Sequence, residues 1–128
     1  MNITQATAKV VATLEGSGLR VQGWAERKVV PPVAIVVPAQ PFLDSEGDTT
    51  FEHPFVLHYL VQLVAGRGTG DTVQRALEDD ITAAVLALTD VGMSVDDVQY
   101  PLIGTEDDSP TIGAQIEASV TINLKEDV

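Results

Sequence analysis

The sequence contains no cysteine, which removes disulfides, thiolate metal sites and thiol nucleophiles at once. Aromatic residues are scarce, at 5 %, so a core has to come mainly from Val, Ile, Leu and Ala. No apolar run approaches the roughly 20 residues that a membrane-spanning helix needs. The opening Met1-Asn2-Ile3-Thr4-Gln5 lacks the basic segment and apolar centre of a secretory leader, so synthesis and residence in a cytoplasm are expected. Positive charge is short as well. Seven Lys and Arg stand against 19 Asp and Glu, a net charge of −12. Residues 1–30 hold Lys9, Arg20, Arg27 and Lys28 against Glu15 and Glu26, a balance of +2, which leaves −14 for residues 31–128. Binding to a phosphate backbone depends on Lys and Arg displacing counterions, so such a chain is not expected to grip nucleic acid. Its acidic surface suits DNA that slides past without sticking, or serves solubility alone.

What is present suffices for one folded domain over residues 1–128. The apolar fraction is 45 %, and a chain of this length buries roughly two-thirds of its unfolded surface. The stretch from His53 to Gly92 organises the rest. Phe55, Leu57, Tyr59, Val61 and Leu63 share one side of an extended chain, while Val56, Leu60 and Val64 share the other with His58 and Gln62. A strand apolar on both sides must be covered on both. Gly66-Arg67-Gly68-Thr69-Gly70 ends it. Asp71 then reads as a helix N-cap with Gln74 completing a capping box. Val73, Leu77, Ile81, Ala84, Val85 and Leu88 recur at helical spacing, and Gly92 closes the helix.

Around this unit, Ile3, Ala6, Val10 and Leu14 predict a first helix over residues 3–15, stopped by Gly16-Ser17-Gly18. Leu19-Arg20-Val21 is a short extended piece. Val33 to Val37 form a short strand with Pro31-Pro32 before it and Pro38 after it. Residues 39–54 show no periodicity and read as an extended loop or arm. Val98, Tyr100 and Leu102 alternate over residues 94–103, and an acidic turn runs from Gly104 to Pro110. Ile112, Ala114, Ile116, Ala118, Val120, Ile122 and Leu124 alternate with polar residues in the final strand. The expected fold is α+β, a mainly antiparallel sheet with two helices packed on one face, in the order α-β-β-α-β-β.

Chemistry is hard to find. Asp44-Ser45-Glu46-Gly47-Asp48 departs from a calcium loop at its decisive places, with Thr49 at the sixth position and Phe55 at the twelfth. The glycine turn before Asp71 has no Gly-Lys-Ser/Thr, so it is not a phosphate loop. His53 and His58 have no nucleophile motif to serve. The pairs Asp79-Asp80, Asp96-Asp97 and Asp107-Asp108 are adjacent in sequence and do not share a face. We expect no enzyme, no catalytic or metal-binding residue, and no cofactor. Candidate interface residues are Trp24, Phe42, Phe51, His58 and Gln62. Trp24 sits in a charged segment, Phe42 and Phe51 on the arm, and His58 with Gln62 is a polar pair in an apolar strand. The plain alternatives are that Trp24 rests half-buried on the domain edge, that both Phe rings tuck under their own domain, and that the polar pair is hydrogen-bonded.

The order of elements resembles the tail terminator family of long-tailed bacteriophages, with its related neck and tail-completion proteins. The resemblance rests on a short N-terminal helix and the proline-flanked strand Pro31-Pro32-Val33-Ala34-Ile35-Val36-Val37-Pro38. It continues through a loop, a long strand ending in Leu63-Val64-Ala65-Gly66-Arg67, and a helix opening at Asp71 and carrying Gln74-Arg75-Ala76-Leu77. It ends on a closing hairpin. The resemblance implies a virion protein, assembled in the host cytoplasm, that forms a ring of six subunits on the tail tube. Such a ring stops tube polymerisation and presents the head-tail joining surface. Its partners would be further copies of itself, the tail tube protein and a head-completion or connector protein, with DNA passing through the channel without specific binding and no membrane involved. Two other readings stay open: another neck or tail component, such as a connector or tube subunit, and a non-viral adaptor that takes up a peptide along Val33–Val37. A metal enzyme using Asp44, Glu46 and Asp48 would be a third.

Overall fold

The computed structural model describes residues 2–25, 31–45, 54–66, 70–106 and 109–123. In chain order these form α1 (Ile3–Gly16), β1 (Val21–Gly23), β2 (Val33–Ser45), β3 (Pro54–Val64), α2 (Asp71–Asp90), β4 (Ser94–Glu106) and β5 (Ser109–Asn123). The class is α+β: two helices and a five-stranded mixed sheet in the order β1-β2-β3-β5-β4. β1 runs parallel to β2, and the other three pairings are antiparallel.

The sheet centre is the β3–β5 pair, with Leu57 opposite Val120, Tyr59 opposite Ala118, Val61 opposite Ile116 and Leu63 opposite Ala114. These odd-numbered positions of β3 are buried, and they share one core cluster with Ala6, Val10 and Leu14 of α1 and Leu77, Ala84 and Leu88 of α2. Period 2 on the strands and period 3.6 on the helices thus converge on a single apolar body. Tyr59 ties it together. Its hydroxyl lies 2.8 Å from Thr7 Oγ1 on α1, and the Phe42 ring meets it edge-on at 5.6 Å. Burial pushes the Tyr59 hydroxyl pKa up, and the Thr7 hydrogen bond offsets part of that.

Several expectations need correcting. The order is α-β-β-β-α-β-β, because the extended piece near Val21 pairs with Ala34–Val36 and is a strand. β2 does not stop at Pro38. It crosses a register shift between Pro38 and Leu43 and then pairs again, Leu43 with Leu57, Asp44 with Val56 and Ser45 with Phe55. A bulge is where a strand tolerates residues that cannot donate to the ladder, so prolines 38 and 41 interrupt pairing without ending it. The expected arm at 39–54 is therefore strand up to Ser45, and residues 46–53 lie outside the described part. β4 likewise runs on to Glu106 and β5 starts at Ser109, so most of the expected acidic turn is strand.

The helix ends also differ. Gly70 is the N-cap of α2 and makes no side-chain cap bond, with Asp71 the first helical residue. The capping box is at α1 instead, where the Asn2 side chain accepts from the Gln5 amide and the Gln5 side chain accepts from the Asn2 amide. Gly92 at φ +87° follows the C-cap Val91.

Gly113 of β5 has no room for a side chain. A Cβ there would stand 2.7 Å from the Leu63 carbonyl oxygen, a backbone atom of the neighbouring strand that cannot step aside. Gly113→Ala is expected to cost about 1–3 kcal/mol, as overpacking does, read as a lower urea midpoint at unchanged slope. A midpoint equal to the wild type's would contradict this close approach.

Candidate subunit interface

The even-numbered side of β3 presents Val56, His58, Leu60, Gln62 and Val64. None of the five is fully buried, and none joins the core cluster. The pairing registers extend this second face sideways. On β2, Ile35 lies opposite Gln62 and Val37 opposite Leu60. On β5, Gln115 lies opposite Gln62, Glu117 opposite Leu60 and Ser119 opposite His58. On β4, Gln99 lies opposite Gln115, Asp97 opposite Glu117 and Leu102 opposite Gly113. The face is therefore mainly apolar over β2 and β3, with His58 and Gln62 as polar exceptions, and turns polar and acidic over β5 and β4.

A row of three amides, Gln62, Gln115 and Gln99, crosses it. Gln62 Nε2 donates to Gln115 Oε1 at 3.4 Å, a long hydrogen bond. His58 belongs to a different contact. Its Nε2 is shielded from solvent and has no hydrogen-bond partner. Asp44 Oδ2 on β2 is 3.9 Å away, which is an ion pair only when the ring is protonated. His58 and Gln62 thus share a face but are satisfied, or left unsatisfied, separately. The shifted register of β2 opens a cavity of about 390 Å³ next to His58, with Pro38 to Pro41 on one side and Leu60, Asp96, Gln115 and Glu117 on the other.

Trp24 directly follows β1 and is 63 % exposed, which goes against its resting half-buried on the domain edge. Phe42 is partly buried against the core and meets Tyr59, so its ring is engaged by its own domain. Phe51 and His53 lie outside the described residues, as do Glu46 and Asp48. Among the described residues no three His, Asp or Glu side chains are grouped so as to hold a metal ion, and no described helix is long and apolar enough to cross a membrane. β1 already occupies Ala34–Val36, the part of β2 that an incoming peptide would need, which weakens the adaptor reading. The residues that sequence reasoning left out of the site are Ile35, Val37, Leu60, Val64, Gln99, Gln115 and Glu117. Their signal was the second apolar side of β3 and the polar side of β5; only strand register shows that these make one surface.

In comparisons of the sequence with known proteins, no family model matches the chain and no curated protein does.

Proposed function

We propose that the protein is a structural subunit of a long-tailed phage virion, forming a ring at the head-proximal end of the tail tube that terminates polymerisation and offers the head-tail joining surface. The observation that carries this reading is the second face of the sheet. It is mainly apolar on its two strands nearest β1, its β3 residues are only partly buried and stand outside the core cluster, and a neighbouring copy would complete their cover. The net charge of −12 supports a lumen past which DNA slides. On this reading the two helices pack on one face of the sheet, away from the channel. The ring is a hexamer, and its other partners are the tube protein and a connector. No enzymatic step and no cofactor belong to the role.

Electron microscopy of particles from a parent genome lacking this gene is the test. Overlong, headless tubes of variable length are expected. Tubes of uniform length that fail to join heads would make the chain another neck component. Unchanged particles, or a genome without tail genes, would overturn the virion reading.

A further inference from the structure

At one end of the second face, two glycines leave a groove. Gly104 pairs with Thr111 and Leu102 with Gly113 across β4 and β5, and Gly113 pairs with Val64 of β3. By strand alternation Gln62, Val64, Leu102, Gly104, Thr111 and Gly113 all fall on this side. The missing side chains at 104 and 113 leave a depression of about 230 Å³ between Val64, Leu102, Gln62 and Thr111. Leu102, on its wall, is 41 % exposed. The groove spans β3, β5 and β4. Trp24 directly follows β1, the strand at the other edge in the order β1-β2-β3-β5-β4, with β2 between β1 and the groove, and is the only tryptophan in the chain.

We propose that Trp24 of one copy docks in the Gly104–Gly113 groove of the next, an inference that rests on the ring reading above and names its contact. Knob and groove are separate patches, so each copy uses its knob once and its groove once. That is a heterologous, head-to-tail contact, the kind that closes into a ring when the rotation per copy allows it. Charge points to the same partner. Residues 94–123, which contain β4 and β5, hold Asp96, Asp97, Glu106, Asp107, Asp108 and Glu117 and no Lys or Arg, whereas residues 1–30 carry a balance of +2. Among the described residues of that part, Lys9 and Arg20 stand against Glu15, and Arg20 comes one residue before β1. Two such edges attract each other between copies, while two like edges do not. A buried indole supplies roughly 150–250 Å² of contact, the usual anchor of an interface, and the apolar half of the second face continues from it.

The test uses the full chain in sedimentation velocity, with Trp24 emission as a second readout. Association is expected to grow with concentration, to move Trp24 emission to the blue, and to weaken as salt rises. Trp24→Ala should weaken it about 30-fold, the size of a hot-spot truncation. Gly104→Leu should do the same by filling the groove from below, because a Cβ at Gly104 meets only Thr111 Oγ1, at 3.4 Å. Each variant retains the half that the other lacks, so an equimolar mixture should give a heterodimer and nothing larger. Should Gly104→Leu lose its fold by circular dichroism, Leu102→Arg takes its place on the groove wall. If Trp24→Ala assembles like the wild type, or if Trp24 emission in the assembled species stays that of a solvated ring, the knob-and-groove contact is wrong while the ring reading stands. A wild type that remains monomeric up to about 1 mM, where even a 4 kcal/mol contact would register, overturns both.

Discussion

Leu60→Lys is expected to yield a folded subunit that no longer assembles. Leu60 sits midway along β3 on the second face, opposite Val37 of β2 and Glu117 of β5. It is partly exposed and does not belong to the core cluster, so the folded subunit gives up little apolar burial. The new ammonium would face Glu117 across the strands, and such opposite-charge pairs contribute roughly 0.2–1 kcal/mol. The net change in stability should stay within about 1 kcal/mol. Assembly is different. A neighbour covering this face would have to take the charge out of water, at a cost of several kcal/mol per ion. Association should fall at least about 100-fold, with Leu60→Met close to wild type because its volume and polarity match. Thermal melts read the first quantity and sedimentation reads the second. A Leu60→Lys protein that assembles normally would show that no neighbour covers the second face.

The second large effect lies on the other side of the same strand. Tyr59→Ala should cost about 3–5 kcal/mol, a large part of the 5–15 kcal/mol that a domain of this size has in total. Tyr59 is 1 % exposed, and its ring holds three elements: β3 by the backbone, α1 through Thr7, and the far part of β2 through Phe42. Tyr59→Phe separates the hydroxyl from the ring and should cost only about 1 kcal/mol. Thr7→Val combined with Tyr59→Phe should cost less than the sum of the two, since each single change strands the other partner. Urea unfolding of the four proteins measures this. A loss below about 1.5 kcal/mol for Tyr59→Ala would mean that the ring is not the tie described.

These two substitutions also show what the sequence made legible. β3, α2 and β5 could be read because each repeats its own period for ten residues or more, and Tyr59 and Leu60 fall on opposite sides of β3 by simple alternation. Local signals at Pro38, Pro41, Gly104 and Pro110 misled, because each marks a stop in isolation, whereas here the strands absorb them in register shifts and at ends. Asp71 offers a side-chain cap one residue past the true N-cap Gly70, while the capping box that forms, Asn2 with Gln5, sits at the very start of the chain. The site was only half visible. His58, Gln62 and Trp24 stand out as polar or aromatic exceptions to their surroundings. Leu60, Gln115 and the Gly104–Gly113 groove become a surface only through pairings between residues far apart in the chain, which no window of sequence contains.

The strand order has a consequence for synthesis. β3 is flanked by β2, which precedes it directly, and by β5, the latest of the described strands to leave the ribosome. Sheets that depend on such distant pairing form slowly and expose their edges meanwhile. Until residue 109 and those after it are made, one side of β3 along its 11 residues lacks its native partner. A message cut short before that point therefore does not yield a subunit missing a trim piece. It yields a chain with a bare apolar edge at its centre, fit for proteolysis or aggregation, so faulty translation removes the copy instead of leaving a nearly complete one.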